Sequence, residues 1–216
     1  MKRILILTVS LILALGLSFT PAPVKATAII DFAIMTPTGG SIFYTGGITP
    51  LYGTGIDVDN VTGIGTPLNS GVTKALAGYF LNFNTGNLAS SDSSHWYFGP
   101  GGSITISDGI TTLLSGTFTS VQVDAVGSTF KVAIAGFFDT KDPNLLAYFG
   151  LPDMTYSGNF NISFNASGLP PGAFTSRELL SGDISNTPVP EPATMLLLGS
   201  GLIGLAGYGR KKFFRK

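Results

Sequence analysis

The chain of 216 residues is formally neutral, with 12 basic and 12 acidic residues, no cysteine and a single histidine. That composition excludes disulfides, thiol chemistry, thiolate metal sites and any zinc site built on two or three histidines. The neutrality is an average: between Thr27 and Pro190 four basic residues stand against eleven acidic ones, a net charge of −7, which argues against binding nucleic acid or anionic head groups through charge.

At the start, Lys2 and Arg3 precede an apolar stretch from Ile4 to Leu17, followed by Ser18, Pro21, Ala22 and Pro23. A charged start, an apolar middle and small residues at the cleavage positions describe a secretory signal peptide rather than a structural helix. Cleavage is expected after Ala26, with Ala28 as the alternative. Residues 1–26 are therefore left out of the fold, and the partners at this stage are the export machinery and signal peptidase.

Residues 27–184 have the size of one domain and can bury a core without covalent staples. Short apolar or alternating runs predict strands at 29–35, 41–44, 55–59, 77–84, 95–98, 103–107, 117–124, 129–138, 159–165 and 179–184. Ile104 and Ile106 share one face, as do Phe130, Val132 and Ile134, and Phe160, Ile162 and Phe164. Period two with one polar face is the half-buried antiparallel pattern. Phe118, Val121 and Val123 break that period and predict a bulge. Gly-rich turns separate the runs, and Asp108-Gly109 reads as a two-residue type I′ hairpin turn. Helix is expected only at 144–148, after Asp142-Pro143, and at 73–77. The expected fold is all-β: an antiparallel β-sandwich or jelly-roll-like domain.

The domain is poor in recognisable chemistry. His95 is the single histidine, and no G-x-S-x-G elbow nominates a nucleophile for it. The reading is accordingly not an enzyme, with a secreted hydrolase of atypical site as an alternative. His95-Trp96-Tyr97-Phe98 is the one aromatic cluster, and Trp96 and Tyr97 are the sugar-contact candidates, close in sequence to Asn87 and Asp92. The competing reading places alternate members of the run in the core, where aromatics supply large apolar area. Asp57-Val58-Asp59-Asn60 begins like a calcium loop, but Val61 and Thr62 stand where a ligand and a glycine belong. Asp139-Thr140-Lys141-Asp142 is similarly incomplete. Calcium is the one cofactor the sequence leaves open, against solvated turn acids.

Residues 185–192 read as a linker ending in Pro190-Glu191-Pro192. The two prolines disfavour helix and keep the hinge extended. Residues 193–209 carry no charge, and seventeen residues of helix span roughly 25 Å, the short end of what a bilayer core needs. Arg210, Lys211, Lys212, Arg215 and Lys216 follow at once, in the 210–216 tail that the positive-inside rule keeps cytoplasmic. Gly199-Ser200-Gly201-Leu202-Ile203-Gly204 matches G-x-G-x-x-G by letter, yet it lies inside the span rather than after a strand, so it is not a dinucleotide site.

Hinge, span and basic stop together resemble the PEP-CTERM sorting signal of Gram-negative bacteria. The resemblance implies recognition by an exosortase-type membrane protease-transpeptidase, with Pro190, Glu191, Pro192, Arg210, Lys211 and Lys212 as the sorting residues. It also implies a transient inner-membrane anchor, then release to the cell surface or extracellular matrix. The function expected is a structural or adhesive surface protein, associated with exopolysaccharide. The alternative from another class is a lectin-like carbohydrate-binding module.

Overall fold

The structure, a computed structural model, describes residues 27–189 and Ser200. The expected signal peptide, the hinge from Pro190, the expected span (Ser200 apart) and the basic tail lie outside the described residues. Among the described residues no helix is long and apolar enough to cross a membrane.

Among these residues, thirteen strands and one short helix follow in order. The strands are β1 (Ile29–Ile34), β2 (Ser41–Tyr44), β3 (Pro50–Asp57), β4 (Asn60–Ile64), β5 (Thr73–Ala75), β6 (Phe80–Ser91), β7 (His95–Phe98), β8 (Gly101–Ser107), β9 (Thr112–Val126) and β10 (Thr129–Lys141). After α1 (Pro143–Phe149) come β11 (Tyr156–Asn165), β12 (Phe174–Ser176) and β13 (Glu178–Pro188).

The register joins these strands into eight staves. β1 and β2 form one interrupted stave, and so do β3 with β4, β5 with β6, β7 with β8, and β12 with β13. β9, β10 and β11 are single staves. Each stave pairs antiparallel with the next in sequence. The last stave then pairs with the first: Ile30 lies opposite Asn186, Ile34 opposite Gly182, Thr38 bridges Leu179, and Ile42 lies opposite Ser176. The sheet is thus a closed up-and-down ring, not a two-sheet sandwich or jelly roll. Alternation fixes the faces of a strand but carries no information on which strand it pairs with. Closure depends on a contact between residues some 150 positions apart, as in the Ile30–Asn186 pair, and it leaves only the three-residue β5 and β12 paired on one side alone, short edges that offer little to an aggregating partner.

Inward positions fill the ring with aromatic side chains. Phe174 contacts the rings of Trp96 and Phe130, from non-adjacent staves, at centroid distances of 4.9 and 5.2 Å, and that of Phe164 on the neighbouring β11 at 5.8 Å. Phe83 meets Phe118 and Phe160 at 6.1 and 5.3 Å. Eight strands leave an interior that side chains can fill. Two glycines make room: a Cβ at Gly53 would overlap the Phe83 ring, and one at Gly158 the Phe137 ring.

Several expectations change. Residues 73–75 are strand β5, paired to β4 through Asn60–Ala75, not helix; a segment this short is decided by its partner rather than by propensity. The expected helix at 144–148 is present and runs from Pro143 to Phe149. Asp142 caps it, its Oδ1 accepting from Leu145 N at 2.9 Å, and Gly150 ends it at φ 67°. The Asp108 hairpin is present with different turn chemistry. Residues 108–111 form the connection, and Asp108 Oδ1 accepts from the amides of Ile110 and Thr111 at 2.8 and 2.6 Å. The linker expected from 185 is strand instead: β13 runs to Pro188, Asn186 is buried, and Val189 N donates to Thr155 O at 3.1 Å. The β10 register slips between Val132 and Gly136, so the buried face moves from Phe130 and Val132 to Ala135, Phe137, Asp139 and Lys141.

The two ends of the barrel differ. One end gathers the start of β1, the loop 65–72, the turn 108–111, α1 and the exit at Val189. At that end Phe149 abuts Gly63, and Leu68 N bonds Phe149 O at 3.0 Å. The far end carries the loops 45–49, 92–94, 127–128 and 166–173.

Candidate functional site

A group of mutually hydrogen-bonded polar side chains lies at the far end, on the outer surface. His95 opens β7 opposite Asp124 on β9. Asp92, in the turn before it, accepts at Oδ1 from the amides of Ser94 and His95, both at 2.9 Å. The same oxygen is 2.7 Å from His95 Nδ1, and Oδ2 accepts from the Tyr97 hydroxyl at 3.0 Å. On the other side, His95 Nε2 lies 3.8 Å from Asp124 Oδ1, which accepts from Gln122 Nε2 at 2.6 Å. The imidazole therefore bridges a turn carboxylate and a strand carboxylate. Backbone donation from Ser94, then the His95 and Tyr97 contacts, hold the Asp92 carboxyl down at about 2. The Tyr97 hydroxyl is pushed up, chiefly because it donates to Asp92.

This is not the geometry of a nucleophile relay. A Ser-His-Asp triad puts hydroxyl and carboxylate on opposite ring nitrogens. Ser94 Oγ is 3.1 Å from Nδ1, the nitrogen that Asp92 already holds, and Nε2 faces Asp124. The arrangement is suited to polar contacts: a half-buried tyrosine ring beside an imidazole, 5.8 Å between centroids, with carboxylates on either side.

Trp96, named with Tyr97 as a sugar contact, is corrected. It is 0% exposed. Phe174 and Phe130 cover its ring, and Nε1 donates to Gly172 O at 3.3 Å. Period two decides this. His95 and Tyr97 face out, while Trp96 and Phe98 face in, so a single strand cannot offer neighbouring aromatics to one ligand. Tyr97 keeps its outward place.

The acids of the incomplete calcium loops serve the backbone. Asp57 Oδ2 accepts from Gly39 N, and Asp59 Oδ2 from Met35 N, each at 2.7 Å. They staple the interruption between β1 and β2 to the one between β3 and β4. Asp142 is the helix cap. Among the described residues no group of three or more acidic or histidine side chains could hold a metal ion.

Asp139 is the unexpected residue of the interior. Its side chain and that of Lys141 are fully buried and form an ion pair. Lys141 Nζ also lies 4.9 Å from the Tyr156 ring centroid. Asp139 Oδ1 has no hydrogen-bond partner. Burial pushes Asp139 up and Lys141 down, against the mutual attraction of the pair. The sequence carried only part of the signal: alternation from Phe137 puts 139 and 141 on one face, but the β10 slip that turns this face inward is set by pairing with β9 and β11. Reading the acids as turn residues hid it.

A family model for the PEP-CTERM protein-sorting motif matches residues 188–211. No curated protein and no solved structure matches the chain. The match begins at Pro188, the last residue of β13, so the sorting motif follows the barrel without an intervening linker.

Proposed function

We propose that this chain, whose C-terminus carries the PEP-CTERM sorting motif, is a non-enzymatic structural or adhesive protein of the cell surface or extracellular matrix. The motif marks it as an exported, exosortase-processed protein of a Gram-negative bacterium. The role of the barrel after release is our reading. Its support is a closed barrel without cysteine, packed inside with aromatic side chains. Such a domain needs no oxidant to fold after export, and among the described strands only the three-residue β5 and β12 are paired on one side alone. In this reading residues 1–26 are removed by signal peptidase, 193–209 anchor the chain briefly, and exopolysaccharide is the medium it enters.

The observation that carries the reading is the match at 188–211 set directly against the end of β13. Glu191→Ala, or deletion of residues 210–216, is expected to hold the protein in the inner membrane; fractionation followed by immunoblot measures this. Export of both variants at the native level defeats the sorting route. A matrix role predicts that the released domain co-purifies with the cell's own polysaccharide fraction.

A second reading, a carbohydrate-binding module, is favoured by one feature: the outward Tyr97 ring beside His95, Asp92 and Asp124. It predicts glycan binding that is lost in Tyr97→Ala with the thermal melt unchanged. Glycan arrays showing no signal for either protein leave the structural role.

A further inference from the structure

We infer that the helix-capped end of the barrel is a membrane-facing surface, which rests on the lipid bilayer while the chain is still anchored. The inference rests on the reading of 193–209 as a bilayer span, and it adds which face of the domain meets the lipid and with which residues.

The argument begins with a length. Val189 N is bonded to Thr155 O, so the chain is held to the barrel up to that residue. The uncharged segment begins at Ala193. Pro190, Glu191 and Pro192 are all that lies between, and the four Cα steps from Val189 to Ala193 reach at most roughly 14 Å when fully extended. The head-group layer on each side of a bilayer is itself roughly 5–8 Å deep. Such a tether leaves less than about 10 Å between barrel and membrane surface.

The end that the tether pulls down is settled by the register. Pro188 pairs with Tyr156, and Ile30 with Asn186, at the end that carries α1 and the loops 65–72 and 108–111. Those loops expose apolar side chains, Ile110 at 95%, Leu68 at 55% and Val72 at 44%, and Ile64 at the end of β4 is 49% exposed beside them. Apolar tips held at the interface gain from leaving water. The far end also exposes apolar tips, Ile48 at 79% and Leu169 at 71%. Exposure by itself therefore does not choose between the ends; the tether does. The net negative charge of the domain points to a neutral lipid surface rather than an anionic one.

The absence of cysteine makes the test direct. Ile110→Cys and Ile48→Cys each give one labelling site, at opposite ends, for an environment-sensitive fluorophore. The signal-peptide-cleaved chain, purified from a host without an exosortase-type enzyme, is reconstituted into phosphatidylcholine vesicles. Flotation first establishes that it is anchored, and a thermal melt that each variant is folded. The expected result is a label at position 110 quenched by a lipid-borne quencher and severalfold less accessible to iodide than the label at 48. Equal iodide access at both positions in floated vesicles overturns the membrane-facing end and leaves the anchor intact. Failure of the folded chain to float overturns the anchor and the membrane-facing end with it.

Discussion

Asp92 and Asp139 each meet one basic side chain close by, yet the surroundings drive them in opposite directions. Asp92 lies on the surface and accepts from two amides, an imidazole and a phenol, and its carboxyl is held at about 2. Asp139 is sealed inside the barrel with Lys141, leaves one oxygen unpartnered, and is pushed up. The lesson is that a partner's charge does not set the outcome. The number of donors and the access of water do: several donors stabilise the charged form outside, and a single cation fails to offset desolvation inside.

The strongest way to break this contrast is to remove one partner of the buried pair. Lys141→Met leaves an uncompensated buried carboxylate and is expected to lose about 3–5 kcal/mol of stability, read by urea unfolding. A loss near zero would mean that Asp139 is already neutral at the working pH. Next in size is the double replacement Asp139→Leu with Lys141→Met. An apolar pair of similar volume is expected to match the parent or exceed it by about 1–4 kcal/mol.

The third prediction is a pH profile. Because the folded value of Asp139 is raised, its contribution is present at low pH and is lost as pH rises through that raised value. Because the folded value of Lys141 is lowered, its contribution returns as pH rises through that lowered value. The two leave a dip in stability around neutral pH. Subtracting the double variant's profile from the parent's isolates it, and a flat difference would refute the assigned directions.

The smallest effect belongs to the surface cluster. The lowered value of Asp92 means that its contribution is present above the ordinary carboxylate range near 3.8 and fades as pH falls to about 2. Carbon-detected NMR of the Asp92 carboxyl is expected to show a midpoint of about 2, and an ordinary midpoint would erase the comparison. His95→Gln is expected to shift the urea midpoint far less than any change to Lys141, because solvent screens the contacts it removes.

The strands were legible where alternation ran unbroken. Ile104 and Ile106, and Phe160, Ile162 and Phe164, are buried as their spacing predicts. Helix α1 was legible because Asp142-Pro143 is a start signal in its own right. The 73–77 segment and the end of the domain at 185 were misread for one reason: their state is decided by pairing with β4 and β11, which no local pattern announces. The candidate site divides in the same way. Tyr97 was nominated from sequence and faces out, while Trp96, its neighbour, went to the core. Nothing local pointed to Asp124 as the second carboxylate at His95, since the two meet only across the β7–β9 ladder.

By itself, the order of amino acids determined the sorting motif, the all-β class and the absence of thiol chemistry, because these depend on composition and on runs of contiguous residues. Only the tertiary structure decided that the sheet closes, that Asp139 and Lys141 are enclosed, and that Val189 leaves the barrel at its helix-capped end. Those features come from pairing between distant segments, whose energy is gained only once the chain has folded around them.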